Sequence, residues 1–471
     1  MNTPSNMPIG AAVRRGALAA ALACASWSAL AAVPQATVTP TATPGFGARA
    51  AFFGDADFVE QEFILSGQAR KFKGSGTIGT DGKWNATVVS GNTPYTTMAI
   101  VRRPADPAKF NGIVIVEWLN VSTGYPLDVD WGMAHEAILR DGYAYVGVNV
   151  QKVGVQGVQK LKQFGDRYAN GSIPDDDISY DIFSQTAQAL RDQTSVLLGN
   201  LKPTRIIASG HSQSAMRLTT YANAIQPLDK AYDGILIHGR AGTGVRIGEG
   251  STVPSGSVVR ADTKVPVFVL QSEMDVSFGP STSKQPDSTN VRHWEVAGTS
   301  HADQYLLDNI GEVSGRDVGW TPPGCGSPYN AMPFYMAENA AIHHLKTWVT
   351  AGTAPPVAPR MTRDWLGFIK KDAHGNAVGG VRLPDIEVPI AKYGFANFTT
   401  GSLAFLDLFA CVAGGNTTYF KADKLKALYP THADYVNKVK AAADAAVAKG
   451  YIRPADRDSA VKRAQAAAVP Q

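Results

Sequence analysis

The segment Gly210-His211-Ser212-Gln213-Ser214 has the residue types and spacing that point most directly to chemistry. An apolar run, Arg205-Ile206-Ile207-Ala208-Ser209, precedes it, and a helical pattern from Ser214 to Ile225 follows. A serine on a sharp strand-to-helix turn presents its hydroxyl as a nucleophile, and the crowded backbone there needs small residues two positions to either side. Gly210 and Ser214 meet that need, with Ser214 standing where glycine is more usual. The same turn aims the amide of Gln213 at a developing oxyanion beside a helix N-terminus. A serine that merely caps a helix looks the same locally, so the assignment rests on partners further along the chain.

A serine nucleophile needs a general base, and the base needs an acid to orient it. The order nucleophile, acid, histidine is one recognised arrangement. Ser272-Glu273-Met274-Asp275-Val276 follows the apolar run ending at Gln271. An acid just past the C-terminal end of a parallel strand is well placed to orient a base. Asp275 is the better placed by offset and Glu273 is its rival; either could instead form a turn. His301 lies in the small polar loop Ala297-Gly298-Thr299-Ser300-His301-Ala302-Asp303 and is the candidate base. His293 falls inside a strand pattern and reads as structural, and His211 reads as a packed residue beside the nucleophile. A second oxyanion donor is expected from the loop Trp118-Leu119-Asn120-Val121-Ser122-Thr123-Gly124, at Asn120 or a neighbouring amide. A tight turn held by the Asn120 side chain is the alternative.

Alternating elements position these residues. Strands are predicted at residues 95–102, 112–118, 143–149, 205–209, 232–238, 265–271 and 292–296. Several are near-continuous apolar runs, as strands buried on both faces require. Helical spacing appears over 131–141, 178–200, 214–225 and 337–351, the last ending at Gly352. The alternation predicts an α/β fold: a mostly parallel central sheet with helices on both faces. Residues 152–180 and 302–335 read as irregular, lid-like insertions or surface loops. From about 418 to 471 the chain reads as a helical extension docked on the main domain, which is taken to span 49–471.

Residues 1–31 read as a signal peptide: Arg14-Arg15, an apolar run from Gly16 to Leu30, and an Ala29-Leu30-Ala31 cleavage signal. The run is too short for a comfortable membrane span, so a periplasmic or secreted protein with no stable span after cleavage is expected. Residues 32–48 read as a linker. The formal charge is +4; without the two leader arginines it is near +2 (4 − 2), which gives no electrostatic case for nucleic acid. Cys24 leaves with the leader, and Cys325 and Cys411 remain as either a disulfide or two buried thiols. No Cys or His cluster has metal-ligand spacing, so neither a metal nor another cofactor is expected. The sequence is silent on oligomeric state.

The chain resembles the bacterial α/β-hydrolase domain-containing family of large exported hydrolases. The matching segments are Val116-Glu117-Trp118-Leu119-Asn120-Val121, Gln151-Lys152-Val153-Gly154-Val155, Gly210-His211-Ser212-Gln213-Ser214, Gln271-Ser272-Glu273-Met274-Asp275-Val276 and Thr350 to Pro356. The resemblance covers nearly all of the chain beyond the leader. It implies the α/β-hydrolase fold and a serine hydrolase mechanism carried by Ser212, His301 and an acid among Glu273 and Asp275. Hydrolysis of a small-molecule or polymeric carboxylic ester is the expectation. Amide, lactone or polyester hydrolysis could use the same triad, and a non-catalytic binding protein could share the fold.

Overall fold

The computed structural model describes residues 31–39, 43–192, 194–279 and 285–470. The expected leader, with Cys24, lies outside the described residues except for Ala31. The framework is a nine-stranded sheet: β1 (Gln35–Val38), β2 (Phe58–Ser75), β3 (Asn85–Pro104), β4 (Ile113–Trp118), β5 (Ala144–Val148), β6 (Arg205–His211), β7 (Gly234–His238), β8 (Val267–Ser272) and β9 (Val291–Val296). Spatial order is β1-β2-β3-β5-β4-β6-β7-β8-β9. Neighbours from β5 through β9 run parallel, whereas β1, β2 and β3 pair antiparallel and β3 meets β5 antiparallel.

Burial explains the apolar runs. Every residue of β4, β5, β7, β8 and β9 is buried. Successive residues point to opposite faces, and they divide between two apolar clusters. Val114, Val116, Ile235, Ile237, Val267 and Val269 enter one; Ile113, Ile115, Leu236, Phe268 and Leu270 enter the other. Helices α3 (Ser179–Asp192) and α4 (Gln213–Thr220) contribute to the first cluster; α1 (Val129–Arg140) and α7 (Phe334–Ala351) contribute to the second. Each fully buried Val, Leu or Ile contributes about 1.5–3 kcal/mol. The sheet therefore holds the C-terminal strand ends, where the candidate residues lie, on a rigid platform.

Three parts of the sequence reading are corrected. Residues 32–48 are not simply a linker: Gln35–Val38 pair with β2, and Phe46 is buried. The long hairpin of β2 and β3 was read only from residue 95, because its buried positions include charges. Arg70 on β2 reaches Asp181 and Asp229, and Glu62 pairs with Arg167, so polar letters occupy core positions. Within 152–180, helix α2 (Lys152–Gln159) forms. Within 302–335, helix α6 (Gln304–Val318) forms despite Gly311 and Gly315. Glycine lowers helix propensity, but a Cβ at Gly311 would come within 2.5 Å of Pro322, so close packing requires it.

Between β8 and β9 lies the short α5 (Glu273–Phe278). Beyond α7, helix α8 (Phe405–Gly414) was not read from the sequence. A disulfide joins Cys411 on α8 to Cys325, with Cα atoms 5.8 Å apart. A small two-stranded sheet, β10 (Ala391–Gly394) with β11 (Asn416–Tyr419), flanks α8. The C-terminal segment folds as α9 (Ala422–Leu428), α10 (His432–Ala448) and α11 (Pro454–Ala466). Ala443, Ala446 and Ala460 of this segment join the second cluster. No described helix is long and apolar enough to cross a membrane.

Candidate active site

Ser212 occupies the turn between β6 and α4 with φ 61° and ψ −118°. A non-glycine residue in this conformation is strained, and the surroundings must hold it there. The Ser212 N–H donates to His238 O at 2.9 Å, which ties the turn to the end of β7. A Cβ at Gly210 would lie 3.0 Å from Ser214 Cβ, so the two small residues are needed together. Ser at 214 fits because Gly210 gives it the room.

The structure brings three of the sequence candidates into one hydrogen-bonded line. His301 Nε2 lies 2.8 Å from Ser212 Oγ, and His301 Nδ1 lies 2.6 Å from Asp275 Oδ1. The Asp275 carboxylate is fixed from behind, because its Oδ2 accepts from the Ser272 N–H at 2.8 Å and the Ser272 hydroxyl at 2.7 Å. These contacts form a capping box at the start of α5. Burial alone would raise the Asp275 carboxyl, but the His301 charge and the hydrogen bonds from His301 and Ser272 outweigh it and hold it below the usual aspartate value.

Glu273 goes elsewhere. It is fully buried, and its Oε2 accepts from the Gly298 N–H at 2.9 Å while its Oε1 pairs with Lys371. Glu273 therefore braces the loop that carries His301 without touching the imidazole. His211 packs its ring 4.4 Å from that of His301, and its Nε2 faces His301 O at 3.1 Å. Burial, with the nearby His301 and His238, pushes His211 well below the usual histidine value, so it stays neutral. His293 is buried on β9 and is likewise held well below that value by burial.

Asn120 does not offer its own amide to an oxyanion. Its N–H donates to Leu127 O at 2.9 Å, its Nδ2 donates to His211 O at 3.0 Å, and its Oδ1 accepts from Ser122 N. The residue steadies its own turn and the end of β6. The next amide, that of Val121, donates to no acceptor among the described residues. The Gln213 N–H opens α4 and so has no helical acceptor.

Ser212 and His301 face a cleft that opens to solvent. Its walls come from α6 (Leu306, Leu307, Ile310), from α8 (Leu406, Phe409, Ala413), and from Phe46 and Trp320. Among the described residues, no Asp, Glu, Lys or Arg lines it. Sequence reasoning flagged 302–335 but missed α8 and Phe46; the only signal for α8 was the Phe405, Leu406, Leu408 and Phe409 group beside Cys411. Chemically, the arrangement can activate a hydroxyl with an imidazole whose tautomer a carboxylate fixes.

A family profile described as "Alpha/beta hydrolase domain" matches residues 31–462. No curated protein matches the chain. Among solved structures, a fungal esterase from Rhizomucor miehei is similar at 10% identity and TM-score 0.34, covering 62% of this chain and 85% of its own. An α/β serine hydrolase without a lid from Xanthomonas campestris is similar at 15% identity and TM-score 0.28, covering 55% and 96%. An α/β serine hydrolase homologue from Coxiella burnetii is similar at 13% identity and TM-score 0.29, covering 48% and 91%.

Proposed function

This chain belongs to the alpha/beta hydrolase domain family, and from that premise we propose that it is an exported serine hydrolase that cleaves a carboxylic ester through an acyl-enzyme. The observation that carries the reading is the line Asp275–His301–Ser212, facing an uncharged cleft. Ser212 Oγ attacks the ester carbonyl while His301 Nε2 takes its proton. Asp275 holds the proton on Nδ1 and stabilises the imidazolium. The amides of Gln213 and Val121 stabilise the oxyanion. His301 then gives its proton to the leaving alcohol. A water, deprotonated by His301, attacks the acyl-enzyme, and His301 returns that proton to Ser212 Oγ as the acid is released.

The same groups would serve an amide or lactone. The lining favours an ester whose acyl or alcohol part is apolar, because a buried charge would find no partner there. A fluorophosphonate probe is expected to label folded protein at Ser212, and absence of label would favour a non-catalytic binding protein. On a series of aryl esters, kcat/KM is expected to rise at least about tenfold from acetyl to hexanoyl, since each buried methylene is worth about 0.8 kcal/mol. A preference for acetyl or for a succinyl monoester would overturn the apolar reading and leave the serine assignment standing.

Export is part of the proposal. The Cys325–Cys411 bridge supports it, because disulfides persist in oxidising compartments. Protein recovered from periplasm or medium is expected to begin near residue 32 on N-terminal sequencing. Exported protein that keeps Met1 would sink the leader reading.

A further inference from the structure

Asp130, His238 and Glu338 form a buried cluster behind the nucleophile turn. His238 ends β7, Asp130 stands in the first turn of α1 and Glu338 lies on α7. His238 Nδ1 is 3.0 Å from Asp130 Oδ1 and 3.5 Å from Glu338 Oε2. One ligand atom from each residue lies within 4.8 Å of the others. The Asp130 side chain is 2% exposed and the other two are 0% exposed. Among the described residues, Asp130 Oδ2 and both Glu338 oxygens have no hydrogen-bond partner.

Glu117 places a third buried carboxyl group beside Asp130, with its oxygens held by the Asp130 and Trp131 amides and the Tyr145 hydroxyl. Among the described residues, no Lys or Arg pairs with Asp130, Glu338 or Glu117. The nearby Arg49 and Arg102 pair with Asp128 and Glu60. Buried carboxylates with orphaned oxygens are costly unless something compensates them.

We propose that Asp130, His238 and Glu338 are ligands of a buried divalent cation. Donor atoms on one small ion at about 2.1 Å lie roughly 3–3.5 Å apart, which suits the contacts to His238 Nδ1. One imidazole nitrogen with two carboxylates suits Zn²⁺ or Mn²⁺ better than Ca²⁺, which takes oxygen ligands. The cation compensates the buried charge and ties β7, α1 and α7 together. Its role is structural: it positions His238, whose carbonyl holds the Ser212 N–H, and it touches no reacting atom. Ligand spacing in the sequence could not reveal it, because Asp130 and His238 are 108 residues apart.

The test uses the full chain purified without chelator. Elemental analysis is expected to find about one equivalent of Zn or Mn per chain. After chelation, adding Zn²⁺ or Mn²⁺ is expected to raise Tm by about 5 °C. Glu338→Gln and Asp130→Asn are expected to lower bound metal at least tenfold and to abolish that Tm response. If either variant fails to fold, wild-type metal content and its Tm response decide alone. A metal-free wild type whose Tm ignores both cations overturns the proposal and leaves the cluster holding a proton. A Tm response that survives in both variants also overturns it, because the cation then binds elsewhere.

Discussion

Ser212→Ala is expected to lower kcat on a simple aryl ester by about 10⁴- to 10⁶-fold while leaving the fold intact. The hydroxyl contributes one hydrogen bond, to His301 Nε2, and no helix cap. Alanine keeps the Cβ, so the strain at φ 61° is unchanged. Tm is therefore expected to move by no more than about 2 °C. Loss of turnover and of probe labelling, with Tm preserved, is the result that supports the mechanism. Activity surviving in folded Ser212→Ala would mean that the nucleophile is another group.

Asp275→Asn is the second large effect, a fall in kcat of about 10⁴-fold with KM little changed. The aspartate accepts from His301 Nδ1 at 2.6 Å, whereas an asparagine fixed by Ser272 can turn an amide donor toward that nitrogen. That favours the tautomer with the proton on Nε2, which cannot accept the serine proton. Glu273→Gln gives the contrast. It leaves the hydrogen bond to Gly298 possible and loses the charge partner of Lys371. Its expected signature is a loss of about 1–2 kcal/mol of stability with kcat reduced less than about tenfold. A Glu273→Gln variant as inactive as Asp275→Asn would reverse the assignment of the acid.

The pH dependence carries a sign that checks the same pair. The folded Asp275 carboxyl lies below its usual value. Its contribution to stability is therefore present above the ordinary aspartate range and is lost only as pH falls through the depressed value. Asp275 stays ionised under mildly acid conditions, so its hydrogen bond with His301 Nδ1 persists there. kcat/KM measured against pH is expected to show no loss from Asp275 protonation at mildly acid pH, and Asp275→Asn is expected to stay low at every pH.

Much of this was legible in the chain. Several of the strands from β4 to β8 are near-continuous apolar runs because helices cover both faces of the sheet. The β2–β3 hairpin was only partly legible, because Glu62, Arg70 and Arg102 sit at buried positions and find their partners far away in sequence. Helix α6 was hidden by its glycines, of which Gly311 is required by close packing on Pro322. The Asn120 loop reaches the cleft beside Ser212, but the Asn120 amide is already committed to Leu127.

The sequence by itself determined the small-flanked serine turn at Ser212, the order of serine, acid and histidine, and the alternation that makes a parallel sheet. These are local properties, written in spacing and side-chain size. Only the tertiary structure shows which of Asp275 and Glu273 meets His301. The two stand two residues apart in the first turn of α5 and so point to different sides. Ser272 fixes Asp275 toward His301, while Glu273 faces Gly298 and Lys371. The tertiary structure also placed α8 and Phe46 over the cleft and drew Asp130, His238 and Glu338 together. In each case the deciding contact joins residues far apart in the chain, and no local pattern records such a contact.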